Sequence, residues 1–220
     1  MGAGLLLILA GIGPEDLDEF HRWYDREHLP ERLGLPGFRQ ARRFAGEGAV
    51  RPWAALYDTE GTGVFRSAAY REALSRQSDW SRKMLPRFVD PCRSVSETRL
   101  RLGAGGGDGL ALGVITGGPD DPAAAEASFH TAGGHLLAGD ARLVTLGLHA
   151  TDPELSRPVA EYPPSAPPPV APGDWVVTVE ACDPLTAGEA LAALCRTALG
   201  LGLVPLGRFR FRNGMTVLDL

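Results

Sequence analysis

One stretch, Pro14 to Phe44 (PEDLDEFHRWYDREHLPERLGLPGFRQARRF), holds the residues best suited to chemistry. Read as a helix from Pro14 to about Leu33, it sets Leu17, Phe20, Tyr24 and His28 at spacings of 3, 4 and 4, on one face. An apolar stripe that must face the interior therefore ends in an imidazole. An unperturbed imidazole titrates near 6.5 and can serve as acid or base at neutral pH. Tyr24, one turn earlier, could orient a substrate carbonyl or share a proton with it. His28 and Tyr24 are the catalytic candidates. The plainer alternative is a structural histidine bonded to the loop before Pro36.

Arg42 and Arg43 are neighbours in an extended segment, so they point to opposite faces and only one can enter a cleft. An arginine there could hold a carboxylate or enolate through paired hydrogen bonds. Its alternative is a salt bridge to the neighbouring strand or to Glu31. Trp23, Tyr57, Trp80 and Phe88 complete the substrate-binding candidates, with Trp53 and Met84 as further core aromatics and apolars. Such residues are core first, but some must line any cleft, since ligand sites are mostly apolar. Glu27, Glu31 and Arg32 read as helix-end charges that hold the next loop or meet solvent.

The elements that position these groups follow from punctuation and periodicity. Leu5–Ile12 is a short apolar strand, and Gly13-Pro14-Glu15-Asp16 starts the helix, with proline and acids where the helix end favours them. Pro30 predicts a kink or break around Glu27–Leu29 that would leave His28 at a helix terminus. Phe38–Phe44, Trp53–Asp58 and Pro91–Leu102 read as strands, Val64–Leu74 and the stretch with Trp80, Met84 and Phe88 at i, i+4 and i+8 as helices. The order is βαββαβ, the ferredoxin-like arrangement.

The glycine-rich segment 103–109 then reads as a linker, and the pattern restarts. Leu110–Thr116 is a strand. Gly118-Pro119-Asp120-Asp121 repeats the first helix start 105 residues on and predicts a helix from Pro119 to about His130. Strands at Arg142–Ala150, Trp175–Ala181 and Leu203–Arg212 and a helix from Pro184 to Leu199 follow. Asn213-Gly214 predicts a hairpin returning through Met215–Leu220. The proline-rich stretch 153–172 reads as an extended surface insertion.

The expected fold is α+β, two tandem ferredoxin-like βαββαβ units, 1–102 and 110–220. Their antiparallel sheets would pack as an intramolecular dimeric α/β barrel, because each sheet has one face without helices.

Bulk properties narrow the classes. The chain of 220 residues carries a net charge of −5 and has arginine for nearly all of its basic groups. There is no basic patch for nucleic acid and no apolar run long enough to span a membrane. The three cysteines, Cys92, Cys182 and Cys195, show no metal-ligand or disulfide spacing. No secretory leader is evident, so a cytoplasmic setting is expected. His21, His130, His135 and His149 form no metal motif, and no phosphate-binding loop is present. No cofactor and no metal is expected; an axial heme ligand would have to be His135 or His149.

Trp23–Arg32 (WYDREHLPER) and Pro36–Phe44 (PGFRQARRF), followed by a strand ending ALYD and by SAAYREAL, resemble the EthD-like branch of the dimeric α/β barrel superfamily. The resemblance covers about residues 4–100. The second half shares element order but has TAGGH where the Tyr-His segment would align. The resemblance implies a cleft between helices and sheet, often with an imidazole as its key polar group. Members of the superfamily include cofactor-free monooxygenases, cyclases, isomerases, dehydratases and heme enzymes.

The expectation is a cofactor-free enzyme with His28 as general acid or base. Its substrate would be a small hydrophobic, aromatic or polyketide-like carbonyl compound, in a cyclase, isomerase, dehydratase or decarboxylase reaction. A non-catalytic small-molecule binding or accessory protein, and a cofactor-independent monooxygenase, are the alternatives. Monomer and homodimer both fit, with one working cleft, in the first half.

Overall fold

A computed structural model describes residues 3–46, 49, 51–157, 168–197 and 202–219. Eight strands are present among them: β1 (Gly4–Ile12), β2 (Phe38–Gly46), β3 (Trp53–Thr59), β4 (Phe88–Gly103), β5 (Gly109–Ile115), β6 (Leu143–Thr151), β7 (Trp175–Ala181) and β8 (Leu203–Thr216). They close into one barrel in the order β1-β3-β2-β8-β5-β7-β6-β4. Every neighbouring pair is antiparallel. The first four strands are arranged β4-β1-β3-β2 and the last four β8-β5-β7-β6. The seams between them are β2–β8 and β4–β6, so one chain closes the barrel by itself.

The alternation of strand side chains sorts the apolar residues into three cores. Leu5, Leu7, Leu9, Leu56, Leu110, Leu112 and Phe209 fill the barrel interior. Leu6, Ala41, Ala55, Tyr57 and Val95 face outward, under the first helical layer. Leu146, Leu148, Val177 and Val179 face outward, under the second.

The first layer is α1 (Leu17–Trp23), α2 (Leu29–Leu33), α3 (Ala68–Ser75) and α4 (Asp79–Met84). The second is α5 (Pro122–Gly139) and α6 (Pro184–Thr197). Ser67 and Ser78 cap α3 and α4, each accepting from a backbone N–H three residues on.

Several expectations need correction. The helix of the second half starts at Pro122, not Pro119. Asp121 accepts from the Ala124 N–H and caps it, and the helix then runs to Gly139, past His130. The predicted hairpin at Asn213-Gly214 is absent. β8 continues through both residues and pairs with β2, with a register shift that opposes Arg43 and Phe44 to Asn213 and Phe211. A bulge at Arg212, directly before the Asn-Gly pair, stands where a turn was expected, and a Cβ on Gly214 would come within 3.1 Å of the Phe211 ring. Phe88 opens β4 and does not extend α4. Of the proline-rich stretch 153–172, residues 158–167 lie outside the described residues, as does Leu199 of the expected fourth helix.

Candidate functional site

Between α1 and α2 the chain forms a π-helical turn, Tyr24–His28, in which the Leu29 N–H donates to the Tyr24 carbonyl five residues back. Pro30 has no N–H to offer the ordinary ladder, and the wide turn absorbs that defect without ending the helix. The predicted irregularity thus falls where the proline set it, but His28 is not lifted to a terminus. It is buried, with Leu29–Leu33 continuing beyond it.

Tyr24, His28 and Arg32 share one helix face and line a narrow pocket between the helices and the outer face of the sheet. The remaining walls are Leu6 and Ile8 of β1, Tyr57 of β3, Tyr70, Leu74 and Gln77, Leu85, Phe88 and Arg93. The empty space is about 480 Å³, counting the mouth. Three of the buried polar atoms around it have no hydrogen-bond partner: His28 Nδ1, Arg32 Nη1 and Tyr57 Oη. Buried polar groups are nearly always paired, so three unpaired atoms on one pocket set it apart from core.

The electrostatics favour neutral, uncharged acid–base groups. Burial, then the Arg32 and Arg43 guanidiniums, hold His28 well below the usual imidazole range, so it is a neutral imidazole at physiological pH. Burial pushes the Tyr57 phenol well above 10 and raises Tyr24 also. The two phenols influence each other's titration, but Tyr57 Oη makes no hydrogen bond of good geometry. Glu31 Oε2 stands 3.7 Å from His28 Nδ1 and 3.8 Å from Arg32 Nη2, near both and bonded to neither. Burial raises that carboxyl.

The other expected residues take different places. Trp23 is fully buried behind the pocket: its ring lies 4.4 Å from that of His28 and its Nε1 donates to Ser81 Oγ at 3.1 Å. It supports the imidazole and does not line the cavity. Ser81 also donates to Glu27 Oε1, at 3.2 Å, and Ser78 does so at 2.5 Å, which ties α4 to the π turn.

Arg43 faces the helical layer. It pairs with Asp25, reaches His21 Nδ1 at 3.0 Å, and stacks over the Tyr24 ring at 4.2 Å. It props Tyr24 from outside the pocket lining. Arg42 faces the barrel interior, bonded to Glu180 at 2.5 Å and Asp58 at 3.0 Å, away from this pocket. Trp80 packs on the first helical core and is not among the lining residues. Tyr57 and Phe88 do line it.

Tyr70, Gln77 and Arg93 are polar lining residues that the sequence did not single out, and Arg32 lines the pocket where a helix-end charge was expected. Arg32 lies four residues after His28, the same interval that linked His28 to Tyr24, so the signal was present. Arg93 could not be found that way. Its placement depends on Leu155, from the segment after β6, whose carbonyl it holds, and on Tyr70 Oη at 3.3 Å. The second half thus braces a wall of the first half's pocket.

A porphyrin, suggested by the heme enzymes of the family that the chain resembles, does not fit the residues around His28 or His149. His149 has both ring nitrogens engaged, with Thr98 and Thr178 hydroxyls at 3.1 Å each. His135 lies exposed on α5, on an open groove that Thr131, Leu136 and Ala193 also line, while the sheet side of that helix is filled by Phe129, Leu146, Leu148 and Leu191. Around His28, three phenols and two guanidiniums occupy walls where a porphyrin face needs apolar contact.

No protein-family model matches the chain, and no curated protein does. Solved structures do match its shape. An anthrone oxidase-like protein superposes with a TM-score of 0.57 at 11% identity, over 100% of this chain and 95% of that one. A candidate monooxygenase from Lactobacillus acidophilus NCFM gives 0.56 at 7%, over 98% and 99%. A candidate chlorite dismutase gives 0.57 at 11%, over 97% and 96%. The chain therefore has the dimeric α/β barrel fold.

Proposed function

We propose that this chain is a cofactor-free enzyme of the EthD-like branch, built from two tandem ferredoxin-like units, of which the first carries one working site. Its substrate is a small fused-ring or polyketide-like carbonyl compound. The observation that supports this most is the convergence of three buried, unpartnered polar atoms, on His28, Tyr57 and Arg32, around one narrow pocket between helices and sheet.

The neutral His28 takes a proton from carbon beside the substrate carbonyl or from an enol hydroxyl. Trp23 and the π turn hold the ring in place. Tyr57 and Tyr24, kept protonated by burial, donate to the oxygen on which negative charge develops. A preformed O–H donor in a dry pocket is worth more there than in water, because nothing must reorganise at the moment of reaction. From such a carbanion or enolate, cyclisation, isomerisation or loss of water are open outcomes.

The names of the anthrone oxidase-like and monooxygenase neighbours favour a second outcome, reaction of the carbanion with dioxygen. An anthrone would then give the quinone and water.

The test is incubation of the purified protein with an anthrone and with a panel of aryl β-diketones, reading product mass. A gain of oxygen identifies the oxygenase, a loss of water the cyclase or dehydratase, and unchanged mass with a new retention time the isomerase. His28→Ala should lose turnover by about 100-fold or more with an unchanged circular dichroism spectrum. Full activity in that variant would remove His28 from the chemistry. Ligand binding without conversion across the panel would instead favour a carrier.

A further inference from the structure

The buried arginines of the first half are not treated alike. Arg42 has Glu180 and Asp58, Arg43 has Asp25 and His21, and even the half-buried Arg93 has the Leu155 carbonyl and Tyr70 Oη. Arg32 is buried just as deeply, at 4% exposure, yet its Nη1 meets no acceptor among the described residues. Its nearest acid, Glu31, makes only a long ion pair with Nη2 at 3.8 Å and no hydrogen bond, and it leaves Nη1 open. A guanidinium taken out of water without a bonded counter-charge is costly, and folds keep one where a ligand completes it.

We propose that Arg32 is an anion subsite and that the ligand of this pocket carries a carboxylate on an aromatic ring. The surroundings fit that class. Arg93 adds a second cation to the lining, and no acid lines the pocket. Leu6, Ile8, Leu74, Leu85 and Phe88 supply apolar walls for a ring. The planar guanidinium suits a planar carboxylate, and Arg32 is already seated against the Tyr70 ring at 5.8 Å. Tyr57 Oη and His28 Nδ1 remain for the carbonyl or hydroxyl oxygens of the same ring. The whole chain carries a net charge of −5, so long-range attraction does not favour anions, and any preference for them must be local.

This inference takes its pocket from the function proposed above but needs no turnover, and the test separates the two. Salicylate and salicylamide differ in the charge of one substituent. Their binding to the full chain is measured by calorimetry and by quenching of tryptophan emission, since Trp23 stacks on His28. Salicylate should bind at least about tenfold tighter. Arg32→Gln should bring the two ligands within about twofold of each other by weakening salicylate alone, and Arg32→Lys should recover part of the gap.

Retained salicylamide binding by Arg32→Gln shows that the variant has folded. If it has not, Arg32→Lys and the wild-type ratio decide. Equal binding of the two ligands, a preference that survives Arg32→Gln, or no binding of either would overturn the anion subsite. His28-dependent turnover of neutral substrates with equal binding would sink the subsite alone. Charge preference without turnover of any compound would sink the catalytic reading alone.

Discussion

Under α1 and α2 the sheet is covered by an imidazole, three phenols and two guanidiniums; under α5 and α6 it is covered by Phe129, Leu191, Leu194 and alanines. The side chains with a buried polar atom lacking a hydrogen bond, His28, Glu31, Arg32, Arg42, Tyr57 and Trp80, all precede β5, and none among the described residues follows. The residue 105 positions after His28 is Gly133, and a Cβ there would already meet Leu102 at 2.7 Å. Similar strand arrangements thus carry two kinds of contact between helix and sheet, one packed with apolar side chains, its open groove lying outside along α5, and one that leaves a polar pocket against the sheet. The packed half shows what the fold needs, and the difference shows what the first half gives up in stability for its pocket.

The largest effect should come from opening the packed half. Phe129→Ala removes a fully buried ring and should cost about 3–5 kcal/mol, read as a drop in the urea midpoint, with ligand binding in the first half retained. A loss under about 1 kcal/mol would mean that the second half is as loosely filled as the first.

Gly133→His puts an imidazole at the position matching His28. It finds no cavity and should cost roughly 1–3 kcal/mol without creating a second ligand site. Two binding sites per chain by calorimetry would break the comparison.

Tyr57→Phe should run the other way. It deletes a hydroxyl that the fold leaves unbonded, so stability should hold or rise by up to about 1 kcal/mol while turnover falls. A clear loss of stability would mean that the hydroxyl is structural.

Acid sharpens the comparison further. His28 is held well below 6.5, His21 to about 4 and His149 to about 3, burial being the first cause in each. A histidine kept neutral in the fold protonates first in the unfolded chain. The stability it contributes is therefore full above about pH 6.5 and is lost as pH falls towards those lowered values. Urea midpoints should decline from pH 7 to pH 5, and a midpoint that rises over that interval would contradict the placement of these rings.

Much of this was legible in the sequence. The eight barrel strands follow from alternation, glycine and proline, although a ninth was expected after Asn213-Gly214, and the closing of two sheets on each other follows from each having one face without helices. The Leu17-Phe20-Tyr24-His28 face was readable because helical spacing is local, and Pro30 announced an irregular turn. Three things were not readable. That Arg42 serves the barrel interior and Arg43 the helices depends on the register of β2 against β3 and β8, which adjacent residues cannot reveal. Asn213-Gly214 carries a hairpin signal, but β2 lying alongside keeps β8 running through it, with the bulge at Arg212. Arg93 joins the pocket through Leu155, more than sixty residues away in the chain.

The central claim is that His28 is a neutral, unpartnered imidazole at a ligand pocket. Ring-labelled histidine NMR tests it directly. His28 should show neutral-tautomer nitrogen shifts throughout pH 5.5–7.5 and move on addition of salicylate, while His149 stays fixed. An ordinary titration of His28 near 6.5, or a His28 signal indifferent to ligand, would contradict it.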